Sequence, residues 1–114
     1  MKGIIWYRDD YSKGIEQLKI MIDNYERMKI PVTENHFSKY DTYVVFENGD
    51  TWKVVGAREC GRANRCNVAY VERNIDYDIY KTIISPTMIN FPFSAVRFWG
   101  EGNLHISDEL PLPF

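Results

Sequence analysis

The sequence predicts a single α/β domain with a mixed, mostly parallel sheet, an antiparallel hairpin and helices packed on it. A length of 114 residues is typical of one domain. Short apolar, β-rich runs alternate with a segment of helical periodicity, as in α/β proteins. Asn48-Gly49 lies between β-rich runs at 42–46 and 51–55, and this pair predicts a tight hairpin because it tolerates positive φ. The predicted order is β-α-β-β-β-α-β.

The first elements follow from apolar patterning. Residues 3–7 form an apolar run that predicts a buried, central strand. A helix is predicted over about 13–28, with Asp10 or Ser12 as its N-cap. Residues 32–40 are predicted as a polar connection without assigned structure. The apolar stripe of the helix recurs at helical spacing and comprises Ile15, Leu18, Met21, Ile22, Tyr25 and Met28.

The second half contains a loop, a strand, a helix and a last strand. The loop at 56–67 is rich in arginine, and the strand at 68–72 ends in an acid. The helix is predicted to begin at Asp76 as its cap and to stop at Pro86. The strand at 95–99 and the strand at 68–72 should run parallel to the first strand at the centre of the sheet, with the hairpin at one side.

The C-terminal residues differ from the rest in composition. Residues 1–106 are predicted to form the domain, and residues 107–114 an extended tail. Pro111 and Pro113 lack backbone donors, so the tail cannot lie inside a sheet. It is expected either to lie against the surface or to contact another subunit.

Composition excludes several classes of function. The net charge of −2 argues against general nucleic-acid binding, which remains possible through a local patch but is not favoured. The sequence contains no run of about 18 apolar residues, so no membrane span is predicted. The N-terminus reads as a strand and not as a signal peptide, so a cytoplasmic location is expected. Cys60 and Cys66 would then be free thiols, and their C-x5-C spacing does not match structural zinc.

The arginine-rich loop is the strongest candidate for a binding site. Arg58, Arg62 and Arg65 lie within eight residues, together with Asn64. Guanidinium groups form paired hydrogen bonds to phosphate oxygens, and loops at strand ends present ligands in α/β folds. The alternative is a solvated loop whose arginines pair with neighbouring acids.

Aromatic side chains could complete such a site by stacking on a base. The candidates are Phe91, Phe93, Tyr70 and Trp52. The alternative for each ring is core packing, since large aromatic side chains supply much of the buried area of a small domain.

No complete catalytic or metal-binding group is predicted. Glu72, Asp76 and Asp78 could together bind a divalent ion, but Asp76 is better explained as a helix cap. A metal nuclease would need several converging carboxylates and a lysine. His36 and His105 have no nucleophile signature beside them. The sequence therefore predicts no catalytic residue, no cofactor and no metal.

Several patterns over residues 3–92 occur in an order found in one known family. The segment I-I-W-Y is followed by Arg8 and a helix, and the Asn-Gly hairpin comes next. An Arg/Gly loop, an apolar strand ending in Glu72 and a helix ending before Pro86 complete the series. In this order the chain resembles the ATPase core of phage large terminases and, more loosely, other RecA-like NTPases.

The resemblance implies that Glu72 stands near the acids that hold Mg²⁺ in those motors. The chain departs from the family because it has no G-x-x-x-x-G-K-[ST] phosphate-binding loop. It also has one carboxylate where the motors have a pair. These departures imply a shortened relative without ATPase activity, of phage or prophage origin.

Two functions are expected on these grounds. The first is a non-enzymatic phage-type accessory protein that binds a phosphorylated or nucleotide-derived ligand, for instance to sequester a host immune signal. The second is a protein-interaction module, such as an inhibitor of a host factor or a DNA-packaging component, that forms a homo-oligomer. The ligand-binding residues predicted for the first function are Arg58, Arg62, Asn64, Arg65, Glu72, Phe91 and Phe93.

Overall fold

A computed structural model describes residues 1–39, 41–58, 65–88 and 95–104. The strands are β1 (Lys2–Tyr7), β2 (Val32–His36), β3 (Thr42–Phe46), β4 (Thr51–Gly56), β5 (Val68–Glu72) and β6 (Ala95–Trp99). The long helix is α1 (Tyr11–Arg27). A second helical segment begins as α2 (Tyr77–Ile79), continues as a π-helix (Tyr80–Ile84) and ends as a 3₁₀ turn (Ser85–Thr87). Within the described ranges, no helix is both long and apolar enough to cross a membrane.

The strands form one mixed sheet in the order β2-β3-β4-β1-β5-β6, and the predicted fold class is confirmed. β1 pairs in parallel with β4 on one side and with β5 on the other, and β5 pairs in parallel with β6. The hairpin strands β3 and β4 are antiparallel, as are β2 and β3. The carboxyl ends of β1, β4, β5 and β6 therefore lie along one edge of the sheet.

Helical segments cover both faces of the sheet. Successive residues of a strand point to opposite faces, so Ile5 packs with Leu18 of α1 while Ile4 packs with Ile84 of the second helical segment. The chain thus leaves β1 onto one face and leaves β5 onto the other. This is the doubly wound arrangement, in which a crevice opens at the carboxyl ends of the strands where the connections diverge.

The predicted N-cap of α1 is confirmed at Asp10, whose Oδ1 accepts a hydrogen bond from the backbone N–H of Ser12 at 3.0 Å. Leu18 and Tyr25 are buried as the periodicity predicts. The inclusion of Met28 in the buried stripe is wrong, because Met28 is 60% exposed. It lies at the C-cap, beyond the last helical turn, and no longer faces the sheet.

The Asn-Gly hairpin is confirmed. Gly49 has a φ of 92°, and its N–H donates to the carbonyl of Phe46 at 2.9 Å. The carbonyl of Asp50 in turn accepts from the N–H of Phe46 at 2.8 Å. A side chain with Cβ would be strained at the φ of Gly49, so the turn depends on this glycine.

The structure contains a strand, β2, within the polar connection to which the sequence assigns no structure. Its residues from Thr33 to His36 are exposed, so its sequence has no apolar face to give a signal. Backbone pairing with β3 forms it at one end of the sheet. The strand β6 lies at the other end, so the prediction that it is central is wrong.

The second helical segment is irregular. Asp76 occupies the predicted N-cap position, but its side chain makes no capping hydrogen bond. Tyr80 and Ile84 bury one side against the sheet. The predicted stop at Pro86 is early, because Pro86 lies inside the 3₁₀ turn that continues to Thr87. Proline fits there because the N–H that it lacks has no partner within the first turn of a helix.

Candidate functional site

The carboxyl ends of β1 and β4 lie side by side. Tyr7, the last residue of β1, pairs with Gly56, the last residue of β4. The N–H of Ala57 donates to the carbonyl of Tyr7 at 2.8 Å, which extends the pairing by one residue. Arg8 and Arg58 therefore emerge from adjacent strands at the same edge of the sheet.

The guanidinium groups of these two arginines share one carboxylate. Arg8 Nε lies 3.4 Å from Asp9 Oδ2, and Arg58 Nε lies 3.7 Å from Asp9 Oδ1. The side chains of Arg58 and Asp9 are more than half exposed, and exposed ion pairs of this length contribute little to stability. Arg8 Nε is itself buried and has no hydrogen-bond partner in the described part of the chain. The guanidinium of Arg58 and the exposed third of the Arg8 side chain are therefore open to another anion.

Glu72 holds the end of β5 against the end of β1. Its side chain is buried, with 3% of the residue exposed. Its Oε1 accepts a hydrogen bond from the backbone N–H of Arg8 at 2.9 Å. No described residue forms an ion pair with it. Glu72 therefore fixes the backbone at Arg8, and it acts as a positioning residue for the two arginines.

Replacing Glu72 tests this positioning role. We expect Glu72→Leu to lower the free energy of unfolding by about 1–2 kcal/mol, because the partly buried N–H of Arg8 loses its acceptor. Glu72→Gln retains an acceptor oxygen and should cost less than about 1 kcal/mol. Urea denaturation of both variants measures the difference. Equal stability of the two variants would contradict the role of this hydrogen bond.

The N-terminus of α1 also lies at this edge, but its own residues occupy it. Hydrogen bonds from the hydroxyl and the backbone N–H of Ser12, at 2.6 and 3.0 Å, lower the pKa of Asp10. The N–H of Lys13 donates to the carbonyl of Asp10. A carboxylate thus already offsets the positive end of the helix dipole, and the two arginines remain the main attraction for an anion.

A pocket of about 620 Å³ lies where the chain leaves β5. Its polar lining includes Arg73, Asn74 and Asp76, and the ring of Tyr77 forms part of its wall. The loop that follows β6 closes one side, where the N–H of Leu104 donates to the carbonyl of Arg73 at 3.0 Å. Asn74 Oδ1 is buried and has no hydrogen-bond partner among the described residues.

The structure brings some of the predicted site residues together and separates others. Arg58 and Glu72 lie at the carboxyl edge. Arg65 lies at the opposite edge, because it precedes Val68, which pairs with Gly3 at the start of β1. The two edges are four residues apart along β1, or about 13 Å at about 3.3 Å per residue. Arg58 and Arg65 therefore do not form one cluster.

Four predicted ligand-binding residues lie outside the described residues, namely Arg62, Asn64, Phe91 and Phe93. Trp52, which was considered for base stacking, is 6% exposed, and its Nε1–H donates to Tyr25 Oη. It therefore serves the core. Tyr70 is half-buried on the face that carries α1.

Arg8 is not among the site residues predicted from the sequence. The signal was present, because an arginine directly after a central parallel strand lies at the carboxyl edge of the sheet. Its pairing with Arg58 depends on β4 lying beside β1, which the sequence does not specify.

Cys66 is a free, buried thiol. Burial raises its pKa, and a side-chain contact to Thr87 lowers it in part. Because the thiolate is the reactive form, this environment makes Cys66 unreactive. Cys60 lies outside the described residues. Within the described ranges, no three His, Cys, Asp or Glu side chains are grouped so as to hold a metal ion.

The fold and this edge define a doubly wound α/β domain with two arginines at its crevice. Comparisons with protein-family models, with curated proteins and with solved structures give no match to the chain. A functional assignment therefore depends on the fold and on the chemistry of the crevice.

Proposed function

We propose that this domain binds a small phosphorylated ligand of the nucleotide class at the carboxyl edge of β1, β4 and β5, without catalysing a reaction on it. The observation that supports this most is the approach of Arg8 and Arg58, from adjacent parallel strands, to one exposed carboxylate. Ligands of doubly wound sheets bind at this edge.

Charge favours a phosphate over Asp9 at this position. Arg8 and Arg58 together carry two positive charges, of which Asp9 offsets one, whereas a phosphate with about −1.5 to −2 charges would offset nearly all of that charge. Guanidinium groups bind phosphate oxygens through paired hydrogen bonds. The 3.4 and 3.7 Å separations from Asp9 are longer than such bonds, so a bound phosphate would improve the contacts of both arginines.

The pocket beyond β5 suits the remainder of a nucleotide. Arg73, which lines this pocket, follows Glu72 directly, and Glu72 accepts a hydrogen bond from the backbone N–H of Arg8, so the pocket begins one residue after the carboxylate that positions Arg8. A volume of about 620 Å³ is in the usual range for ligand sites. Tyr77 also lines this pocket, and its ring offers an apolar surface to a base.

Binding without hydrolysis is proposed because the sequence lacks the loop with which P-loop enzymes hold and activate phosphates. Four further expectations stay predictions. They are the kinship with terminase ATPase cores, the phage origin, the homo-oligomer and the protein-interaction alternative.

Removing Arg58 tests the proposal. We expect Arg58→Ala to weaken the binding of the tightest-binding phosphate compound about tenfold, because it removes a charged hydrogen-bonding partner. Isothermal titration with inorganic phosphate, AMP, ADP, ATP and cyclic nucleotides measures the affinity. Arg65→Ala is the matched control, since it removes the same charge from the opposite edge of the sheet and should leave the affinity within about twofold.

A second variant should raise the affinity for phosphate instead of lowering it. Asp9→Asn removes the carboxylate that competes for both arginines, and it should tighten phosphate binding several-fold. Failure of every compound in the panel to bind would overturn the proposal. Equal losses in Arg58→Ala and Arg65→Ala would also do so, because the effect would then reflect net charge alone.

A further inference from the structure

A groove of about 390 Å³ lies on the face of the sheet that carries α1, away from the crevice. It exists because α1 packs over β1 and β4 and leaves the same face of β5 partly uncovered. Val68 and Tyr70 of β5 form its floor, and Ile20 and Met21 of α1 form one wall. Ile20 is 48% exposed there, which is a large exposed fraction for an apolar side chain.

Two polar groups of this groove, the Tyr70 hydroxyl and the Arg97 guanidinium, can donate hydrogen bonds to a ligand. Tyr70 Oη accepts a hydrogen bond from Gln17 Nε2 at 3.2 Å, so its own O–H can donate to a ligand. Arg97 lies at the rim, exposed, and forms no hydrogen bond or ion pair within the described ranges. Asn24 adds a side-chain amide to the lining.

The groove is also locally positive in a protein of net charge −2. No acidic residue lines it in the part of the chain that the structure describes, and Arg97 is its one charged lining residue there. An apolar floor and wall beside an unpaired guanidinium and a phenol donor are complementary to an amphipathic anion. A cation or a purely polar anion would match only part of this surface.

We propose that this groove is a second binding site, which takes a compound with an apolar body and a single anionic head group. The body lies along Val68 and Ile20, and the head group accepts hydrogen bonds from Arg97 and from the Tyr70 hydroxyl. Medium-chain acyl carboxylates are the simplest members of this class. The site is independent of the crevice, since it shares neither Arg8 nor Arg58.

Titration of the full chain with decanoate tests this site. The readouts are isothermal titration and the methyl NMR signals of Ile20 and Met21. We expect saturable binding of decanoate that shifts both methyl signals. In the shorter acids octanoate and hexanoate, the affinity should fall about threefold for each methylene removed. Decyltrimethylammonium, which has the same chain and the opposite charge, should bind at least tenfold more weakly.

Matched variants assign the binding to the groove. Arg97→Gln should weaken decanoate at least fivefold, whereas Arg27→Gln, which removes an exposed arginine at the end of α1, should change it less than twofold. Ile20→Gln should also weaken decanoate binding, because it replaces part of the apolar wall with a polar side chain. Equal binding of the two decyl compounds, an unchanged affinity in Arg97→Gln, or no methyl shift would each overturn the proposal. Nucleotide binding at Arg58 should be unaffected throughout.

Discussion

Gly3→Ala is expected to lower the free energy of unfolding by about 3 kcal/mol, near the upper end of overpacking costs. Gly3 lies in the central strand β1, directly opposite Trp52 of β4, and the indole ring lies over it. A Cβ on Gly3 would be 2.6 Å from Trp52 Cη2 and closer still to Cζ3 and Cε3. Real Cβ atoms do not approach other atoms so closely, so the ring or the strand must move.

Neighbouring side chains prevent Trp52 from moving away. Its Nε1–H donates to Tyr25 Oη at 3.1 Å, and the Tyr25 hydroxyl donates to Asp50 Oδ2 at 2.8 Å. Tyr25 is in turn stacked on Phe46, with ring centroids 3.8 Å apart. A displaced indole would break this chain of hydrogen bonds inside the core. The cost should therefore exceed the few tenths to 1 kcal/mol that alanine regains over glycine in a strand.

A double-mutant cycle checks the physical cause. In a Trp52→Leu background the indole is gone, and Gly3→Ala should then change the free energy of unfolding by less than about 1 kcal/mol. Urea denaturation of the wild type, both single variants and the double variant gives the coupling energy. A cost of Gly3→Ala that is the same with and without Trp52 would show that the close approach of the indole is not the cause.

Between pH 10 and 12, the ionisation of Tyr80 should lower the free energy of unfolding by about 2–3 kcal/mol. Its side chain is 2% exposed. Burial is the main cause that raises its pKa from 10 to about 12, a shift that a hydrogen bond to Ser85 opposes. In the unfolded chain Tyr80 ionises near pH 10, whereas in the folded protein it stays protonated to about pH 12. Above pH 10, ionisation of Tyr80 therefore stabilises the unfolded state but not the folded state.

The comparison with Tyr80→Phe isolates this residue from the other groups that titrate in the same range. We expect the stability difference between wild type and variant to stay constant up to about pH 10. It should then shift in favour of the variant, by about 2 kcal/mol at pH 11.5. Tyrosinate absorbance should show one late-titrating tyrosine fewer in the variant than in the wild type. Parallel stability curves for the two proteins would contradict the assignment.

Local sequence determined most of the elements. The apolar run that forms β1, the stripe of α1 with its Asp10 cap, and the Asn48-Gly49 turn are signals contained within a few residues, because capping, periodicity and positive φ act over short distances. The same reasoning missed β2, which has no apolar pattern and is formed by pairing with β3. It also included Met28 in a stripe that ends one turn earlier.

The candidate site shows the same division. The sequence pointed to the arginines of 56–67 and to Glu72, because charged residues after a strand are a local pattern. It could not show that Arg58 and Arg65 lie at opposite edges of the sheet, or that Arg8 is the neighbour of Arg58. The positions of these arginines relative to one another depend on which strands pair in the sheet.

By itself, then, the sequence determined that the chain forms one mixed α/β sheet with arginines near a strand end. Only the tertiary structure decided which arginines meet, which acid positions them, and that one face of β5 stays open as a groove. The physical reason is that strand order is set by contacts between residues far apart in the chain, such as Gly3 with Trp52 and Tyr7 with Gly56, and short-range patterning does not encode them.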